Sequence, residues 1–557
     1  MFNLLDLFDK SKNLKIVWDL LYFLREEIQY SLPILYFGVL ILLFVFKDER
    51  ILARISRSKY QLKFLNWGAY LVLSIIFLIP IQYLFFDKIM DHGESHVSVV
   101  SWIVWRGQEL YPDLIGPYDY GNFYGPYSYF WFGIIPRVFG PSFLTFKLNC
   151  ILLAAANFYF VFILAGRNWI KSVIFFGAIA AFGPYFFWLR PDSQILLTVL
   201  LSYVGLLKYE NGDRKAIWWI AALIGIGVNL KIQSILYFSP LLWVLLRQKG
   251  LLECLKVGAF SILVFGLPFL LPWVSFQNFI DILTVAVDQG RQWPRVYQYY
   301  IPYFLMIAIP VAVNAYTLKS VADNNSKNWG RGDFIDFCAL LFFGLVASII
   351  AAKPGAGYYQ FMPFLPAVIY FSRSLTLQSF LNQPIWARAF VWVYVVFFVL
   401  HFGLNQYLAI REMRGMAKLP VVQDLKDVEI KYPDKKIAIG WGDNESQGDR
   451  YNLSFYRGYF VWKGNPYFFD LGIRMDMILV GRPEPSEALN VLRECRIDLW
   501  LIQKNERPFE MRGWISGDWM THRRVYSEPF IEAFHSSYEK VGSSLFYDLW
   551  LCKTKTD

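Results

Sequence analysis

The sequence between residues 89 and 127 combines residue types that can do acid–base chemistry with a position next to a membrane. It contains two histidines and five carboxylates, and it follows an apolar block at 65–86 of about the length that crosses a bilayer. Its start, Asp91-His92-Gly93-Glu94, places two carboxylates within four residues. A solvated helix end would explain a lone aspartate there, but this clustering favours an active site at the membrane surface.

The rest of this loop indicates an ordered structure. Its glycines and prolines mark turns, and the apolar, tryptophan-bearing stretch 97–105 predicts a helix that lies on the membrane surface. His92 and His96 are close enough in sequence to suggest zinc, but a zinc site needs three or four ligands, and no other histidine or cysteine lies nearby. We therefore interpret both as exposed, interfacial histidines.

Four basic residues stand where they could bind an anion at the same surface. Three of them end or follow apolar blocks and one lies in a polar loop: Arg190, Lys231, Lys353 and Arg291. Lys353 precedes Pro-Gly-Ala-Gly, whose backbone amides could form an anion nest. The alternatives are that each cation at a block end snorkels to lipid headgroups, and that Arg190 simply pairs with Asp192.

Tyrosines accompany both groups of charged residues. Tyr111 and Tyr124 stand in the acidic loop, and Tyr358 follows Lys353. Such rings suit a surface for a sugar or a lipid headgroup, and they equally suit the aromatic belt that is common at membrane interfaces. The sequence leaves both interpretations open.

The composition indicates that membrane helices must hold these residues. Of 557 residues, 56% are hydrophobic and only 18% are charged, against about a quarter charged in a soluble domain. The apolar blocks predict a polytopic α-helical membrane protein with about 11–13 spans within residues 31–409. Residues 1–30 suit an interfacial segment. The net charge of +10 lies mostly in short loops, a pattern typical of membrane topology rather than of a nucleic-acid site.

The positions of lysine and arginine also predict an orientation. The basic connectors are 47–63, 167–171, 208–215, 247–249 and 319–331. Basic loops stay cytoplasmic, so the segments between them face the other side. These segments are 87–141, 190–192, 273–300 and 353–360. We therefore expect four segments to converge on the extracytoplasmic face.

Residues 410–557 lack a membrane-length block and predict a small α/β domain on the same side as the acidic loop. The predicted strands are 436–441, 475–480, 497–503 and 545–553, and the predicted helix is 487–496. Cys495 and Cys552 lie in this part of the chain and could pair. The sequence leaves the pairing open, because it gives no distance between them.

Three motifs of the acidic loop together resemble a known family. Asp-x-Gly-Glu at 91–94, Gly-x-x-Leu-Tyr-Pro-Asp at 107–113 and Tyr-Gly-Pro-Tyr at 124–127 resemble the first extracytoplasmic loop of the GT-C glycosyltransferases. The nearest subgroup resembles the protein O-mannosyltransferase, aminoarabinose transferase and RgtA/B/C/D-like enzymes. The resemblance extends loosely over the whole chain, including Arg-Pro-Asp at 190–192 and Lys-Pro-Gly-Ala-Gly-Tyr-Tyr at 353–359. Many relatives carry Asp-Glu where this chain has Asp91-His92.

The resemblance implies a sugar transfer from a polyprenyl-phosphate-linked donor to a lipid, glycan or protein acceptor, with Asp91 as the general base. Glu94 would be its partner, as a metal ligand or as a residue that positions the acceptor. The phosphate would be bound by Lys353, Arg190, Lys231 and Arg291. Substrate contacts would come from His92, Tyr111, Tyr124, Tyr358 and Asp192. A phosphate leaving group needs positive charge or a divalent cation such as Mg²⁺ or Mn²⁺ rather than a general acid.

These inferences place the protein in a membrane, and a bacterial plasma membrane is the favoured one, with the site facing outward.

Two other kinds of polytopic membrane protein are alternatives: a transporter or flippase, and a ligase or polymerase of lipid-linked glycans. Transporters tend to place ionisable residues mid-membrane, whereas here they gather at one surface. By resemblance, the ligases and polymerases rely on basic residues in a late loop, and this chain has an early acidic one. A non-catalytic receptor would be indicated if Asp91 and Glu94 were dispensable.

Overall fold

The structure is a computed structural model of the chain. It describes residues 60–325, 331–353, 356–373, 394, 398–407, 409–410, 413, 419–443, 451–482, 484–512 and 524–553. The predicted interfacial segment 1–30, the apolar block 31–46 and the basic loop as far as residue 59 lie outside the described residues.

Thirteen helices of at least seven residues are described between residues 60 and 371, and ten of them lie at apolar stretches of the sequence. Their bounds are α1 Tyr60–Leu84, α2 His92–Trp105, α3 Pro126–Phe139, α4 Phe143–Leu164, α5 Trp169–Ala180, α6 Asp192–Glu210, α7 Ala216–Leu230, α8 Ile235–Lys249, α9 Leu251–Gly266, α10 Phe276–Asp288, α11 Ile301–Asn325, α12 Arg331–Ala351 and α13 Leu365–Phe371. A π-helical turn at Val296–Tyr300 leads into α11, and a 3₁₀ segment at Tyr358–Phe364 leads into α13.

Several of these helices are suited to a lipid bilayer. In the described part of the chain, three are long and apolar enough to cross it: Phe143–Leu164, Leu251–Leu270 and Trp293–Val313. Four shorter apolar helices accompany them: Ala69–Leu84, Trp169–Ala180, Ala216–Leu230 and Ile335–Ala351. These segments support an integral membrane protein, while the count of 11–13 spans stays a prediction.

Helix α6 defines two ends of the bundle, one at Asp192 and one at Glu210. With 19 residues, α6 is about 28 Å long, close to the thickness of the hydrocarbon core. Ion pairs and hydrogen bonds join the basic connectors at the Glu210 end: Arg373 pairs with Glu210 at 3.1 Å, and Lys171 Nζ donates to the Ser372 carbonyl at 2.9 Å. Connectors 167–171 and 208–215 thus lie at one end, and the acidic loop lies at the other.

Within the acidic loop, close backbone contacts fix α2 and α3. A Cβ on Gly125 would lie 1.5 Å from the Asn229 carbonyl oxygen, and the Gly125 amide donates to the Leu230 carbonyl at 3.1 Å. The glycine of Tyr-Gly-Pro is therefore required where the loop crosses the end of α7. The expectation that 97–105 lies on the membrane surface was wrong, because nearly all of α2 is buried.

Residues 419–553 form the C-terminal unit, a four-stranded mixed sheet with helices. Its elements are α14 Val421–Lys431, β1 Ile437–Ile439, α15 Gly458–Trp462, α16 Leu471–Leu479, α17 Ser486–Arg493, β2 Leu499–Gln503, α18 Glu528–Ser537, β3 Tyr538–Ser543 and β4 Tyr547–Cys552. The strand order is β1-β2-β4-β3. β1 and β2 are parallel, with Ile437 opposite Leu499, and the other pairs are antiparallel. The prediction of a strand at 475–480 was wrong, because these residues belong to α16 and the turn after it.

One continuous hydrophobic core joins the acidic loop to the C-terminal unit. It includes Val97 and Tyr129 from the loop and Leu499 and Phe530 from the sheet and its helices. Cys495 and Cys552, whose pairing the sequence left open, form a disulfide bond. The C-terminal unit therefore packs on the end of the bundle where the acidic loop lies, and the division at residue 410 stays a prediction.

Candidate active site

The four segments that were expected to converge are in contact with one another. Arg190 forms an ion pair with Asp91, Nε to Oδ2, at 3.3 Å. The Leu110 amide donates to the Trp273 carbonyl at 3.0 Å, and Lys353 of the fourth segment lies over the Phe123 ring of the first. All four segments thus meet at one end of the bundle.

Asp91 stands at the N-terminus of α2 with its carboxylate between two basic groups. Its Oδ1 lies 2.9 Å from His92 Nδ1, and its Oδ2 faces Arg190. Burial alone would raise the pKa of this carboxyl group, but the Arg190 guanidinium and His92 hold the pKa of Asp91 well below its usual range. The side chain keeps 18% of its surface exposed, while its Oδ2 atom is buried.

Glu94 lies one turn into α2 and is fully buried. Its Oε2 accepts from the Met90 amide at 2.7 Å, and its Oε1 accepts from the Leu189 amide at 2.8 Å and from the Tyr83 hydroxyl. One carboxylate thereby joins the residues that precede Asp91 and Arg190. Burial raises the pKa of Glu94.

Contacts with Trp188 and Gly93 hold the Arg190 side chain in place beside Asp91. Its guanidinium lies over the Trp188 ring, 4.6 Å from the ring centre. A Cβ on Gly93 would lie 2.7 Å from Arg190 Nε, so the glycine makes room for the ion pair. Asp192 pairs with Lys231, Nζ to Oδ1, at 3.7 Å, so the two ion pairs are Arg190 with Asp91 and Lys231 with Asp192.

The other predicted cations lie near Lys231. Lys353 Nζ lies 4.8 Å from the centre of the Phe123 ring. Burial lowers the pKa of Lys353 to about 8; Asp476 acts in the opposite direction, and the positive charges of Lys231 and Arg291 lower it further. The structure therefore brings the predicted phosphate-binding residues together, whereas Pro354 and Gly355 of the predicted anion nest lie outside the described residues.

Aromatic rings surround these charges. Tyr124 and Tyr359 lie with their ring centres 5.8 Å and 5.5 Å from Lys231 Nζ. Tyr358 stacks on Phe182. Tyr111 is fully buried, and its hydroxyl donates to the Tyr124 carbonyl at 2.6 Å, so it supports Tyr124 from behind. The substrate-binding roles predicted for these tyrosines stay predictions.

The C-terminal unit adds residues that the sequence did not single out. Arg457 donates to the His92 carbonyl at 3.1 Å and to Asp470 Oδ2 at 2.8 Å. His96 Nδ1 lies 3.3 Å from the same Asp470 oxygen, and its side chain is 2% exposed. The interpretation of His96 as an exposed histidine was therefore wrong. No local signal relates residues 457 and 470 to residue 92, since the contacts span more than 360 positions.

Asp476, on α16, is a further acidic residue that the sequence analysis missed. It interacts electrostatically with Lys353 and His92. It lay in a segment that was interpreted as a strand, and only the packing of the C-terminal unit brings it to the site.

We tested the carboxylates of the site as ligands of a divalent cation. Among the described residues, no group of three or more His, Cys, Asp or Glu side chains is arranged to hold a metal ion. Both oxygens of Glu94 are occupied by protein donors, and those of Asp91 face Arg190 and His92. We derive no step through a metal.

Comparisons with known proteins give structural similarities only. No family profile and no curated protein sequence matches this chain. Among solved structures, ArnT from Cupriavidus metallidurans bound to undecaprenyl phosphate is 11% identical, with 88% of this chain and 98% of that chain covered and a TM-score of 0.48. The apo state of the same protein is also 11% identical, with 87% of this chain and 98% of that chain covered and a TM-score of 0.49. The Archaeoglobus fulgidus oligosaccharyltransferase in complex with Zn and sulfate is 13% identical. The match covers 79% of this chain and 67% of that chain, with a TM-score of 0.38. These similar structures are glycosyltransferases of the GT-C type.

Proposed function

We propose that the protein is an integral membrane glycosyltransferase that moves a sugar from a polyprenyl-phosphate-linked donor to a lipid, glycan or protein acceptor. The observation that carries the proposal is the ion pair between Asp91 and Arg190 at the end of a membrane bundle where Lys231 pairs with Asp192 and Lys353 lies over the Phe123 ring. Cations there suit a lipid phosphate, and a carboxylate suits the attacking hydroxyl group.

The ion pair between Asp91 and Arg190 explains how donor binding could activate the base. A paired carboxylate of low pKa is a weak base. A donor phosphate would compete with Asp91 for the guanidinium, since both accept hydrogen bonds from it. As the guanidinium, staying in place, shares its hydrogen bonds with the anionic phosphate, the pKa of Asp91 rises and its oxygen becomes available to take the proton of the acceptor.

The same geometry supports roles for the remaining charged residues. The departing polyprenyl phosphate would be stabilised by Arg190, Lys231 and Lys353, with Arg291 at the exposed edge. No general acid is needed, because the leaving group is already an anion. Glu94 acts by positioning Asp91 and Arg190 through their neighbouring amides.

We place the site on the extracytoplasmic face of a bacterial plasma membrane. Addition of EDTA followed by Mg²⁺ or Mn²⁺ tests whether a divalent cation takes part.

Lipid-linked glycan profiling of a deletion strain tests the proposal. The donor that this enzyme consumes should accumulate, and its mass spectrum should identify the sugar. Wild-type protein should return the profile to normal. A deletion strain whose polyprenyl-linked sugars are unchanged would rule out the function.

The Asp91→Asn variant tests the assignment of the base in the same strain. It should lower transfer at least about 100-fold while its amount in the membrane stays normal. Asp113→Asn is the matched control, because Asp113 is exposed in the same loop and accepts only a local hydrogen bond from the Ile115 amide. Wild-type turnover by Asp91→Asn would remove the base assignment.

A further inference from the structure

The first turn of α2 is held on two opposite faces. On one face, Glu94 accepts from the Leu189 amide at 2.8 Å, and Gly93 lies against the Arg190 side chain, so this face contacts the helix bundle. Successive residues of an α-helix are rotated by about 100° around its axis, so residues 95 and 96 lie on the opposite face. That second face contacts the C-terminal unit.

Three contacts join this turn to the C-terminal unit. They are the hydrogen bond from Arg457 to the His92 carbonyl at 3.1 Å, the hydrogen bond from the Ser95 hydroxyl to the Phe455 carbonyl at 2.8 Å, and the contact of 3.3 Å between His96 Nδ1 and Asp470 Oδ2. The Arg457 contact lies nearest to the candidate base, because residue 92 directly follows Asp91.

The Arg457 side chain is itself fixed inside the C-terminal unit. It is 2% exposed, and its Nη2 pairs with Asp470 Oδ2 at 2.8 Å. Its Nε donates to the Tyr467 hydroxyl at 3.0 Å and its Nη1 donates to the Ser454 carbonyl at 3.3 Å. The guanidinium also lies 5.3 Å from the centre of the Trp441 ring. Because a guanidinium is a rigid planar fork of donors, these contacts also fix the direction of its hydrogen bond to α2.

The position of this turn decides where the Asp91 carboxylate lies. Asp91 stands immediately before the turn, and its Oδ2 is 3.3 Å from Arg190 Nε. Arg190 has little freedom to follow, since its side chain is 13% exposed and lies over the Trp188 ring. A rotation of the turn would therefore separate the carboxylate from the guanidinium instead of moving both together.

We infer that Arg457 is a positioning residue for the transfer reaction, which holds the first turn of α2 so that the Asp91 carboxylate stays beside Arg190. The inference rests on the proposed function, and it gives the C-terminal unit a part in catalysis. Arg457 acts through the His92 carbonyl and needs no contact with donor or acceptor.

The experiment compares Arg457→Met with wild type in purified, reconstituted full-length protein. The probes are the lipid-linked sugar that accumulates in the deletion strain, with a membrane extract of that strain as the source of acceptor, and undecaprenyl phosphate without a sugar. The number of sites that bind undecaprenyl phosphate counts the folded protein. The kcat per binding site should fall about 10- to 100-fold, because a small misplacement of a catalytic group is costly. The KM for the lipid-linked sugar and the Kd for undecaprenyl phosphate should change by less than about threefold, because the lost interaction orients the base rather than binding the donor.

Arg474→Met is the matched control. Arg474 is another buried arginine of the C-terminal unit, and its ion pairs are with Asp119 of the acidic loop and with Glu484. Both substitutions remove a buried guanidinium beside the acidic loop, so both should lower the Tm. Only Arg457→Met should lower kcat per binding site, since a loss of stability alone changes the number of folded sites.

Arg457→Lys provides a second readout, and it decides the matter if Arg457→Met does not fold. Lysine keeps a positive charge beside Asp470, but its ammonium group lacks the planar fork through which Nη2 reaches both Asp470 and the His92 carbonyl. The Tm should therefore fall less than in Arg457→Met, while kcat per binding site stays about tenfold below wild type.

Three results would overturn the inference and leave the proposed function standing. They are a wild-type kcat per binding site in the Arg457 variants, an equal fall in Arg474→Met, and a raised KM with unchanged kcat, which would mean that Arg457 supports donor binding. If the wild-type protein neither transfers the sugar nor binds undecaprenyl phosphate, the proposed function fails, and the inference fails with it.

Discussion

Gly93 is the smallest residue of the site, and its lack of a side chain allows the ion pair to form. A Cβ there would lie 2.7 Å from Nε and 2.8 Å from Nη2 of Arg190. The guanidinium has little freedom to withdraw, because its side chain is 13% exposed and rests on Trp188. A methyl group at position 93 would therefore displace Arg190 from Asp91.

We expect Gly93→Ala to lower transfer about 10- to 100-fold, since a small misplacement of a charged group is costly in catalysis. Turnover measured with the lipid-linked sugar, alongside the Kd for undecaprenyl phosphate, checks this. Gly258→Ala on α9 is the control, because a Cβ there meets no atom within 4 Å. Normal turnover by Gly93→Ala would show that Arg190 moves away without loss.

Glu94 has a role that its sequence position did not reveal. Both of its oxygens accept hydrogen bonds from backbone amides that adjoin the two charged residues of the site. Glu94→Gln replaces one acceptor oxygen by a donor, which leaves a buried amide unpaired and should cost about 1–3 kcal/mol. Thermal unfolding without substrate or added metal should show a lower Tm. A Tm that falls only when a divalent cation is present would instead favour the metal-ligand role.

At the scale of elements, the helices at the membrane were predictable and the contacts between distant segments were not. An apolar block of membrane length has few structural alternatives, and such blocks lie at α4 and α9, both of which are long and apolar enough to cross a bilayer. The short run at 475–480 was ambiguous between strand and helix, and the helix forms because Asp470 caps it and Arg474 reaches the loop. β3 was missed because its exposed, polar residues give no apolar pattern.

The buried ion pair between Asp119 and Arg474 should hold α16 against the acidic loop. Arg474 also approaches Glu484, with Nη1 3.4 Å from Oε1. Arg474→Met leaves two carboxylates unpaired in a buried place, which should cost about 3 kcal/mol. Adding Asp119→Asn should recover part of that loss, because one uncompensated charge is removed.

Thermal unfolding of both single variants and the double variant measures this coupling. Arg496→Met is the control: Arg496 is an exposed partner of Glu494, and such pairs contribute at most about 1 kcal/mol. Strictly additive effects of the two substitutions would mean that the pair does not fix α16.

For the whole molecule, the charged residues are distributed between two ends. The site, the acidic loop and the C-terminal unit lie at the Asp192 end of α6, and the basic connectors gather at the Glu210 end. Two independent observations orient this arrangement. Basic connectors stay cytoplasmic, and the disulfide between Cys495 and Cys552 is typical of an oxidising, extracytoplasmic compartment. On these two grounds we propose that the site faces outward.

Cysteine labelling in intact cells tests that orientation. In a background where Cys150, Cys254 and Cys338 are replaced by alanine, we expect a membrane-impermeant maleimide to label Asp113→Cys at once. Lys215→Cys, in the exposed connector after α6, should react only after permeabilisation. It lies beyond the Glu210 end of α6, about 28 Å from the Asp192 end where the site lies. The native pair Cys495 and Cys552 should react only after reduction. Labelling of position 215 but not of position 113 in intact cells would invert the topology, and the donor would then have to be supplied from the cytoplasm.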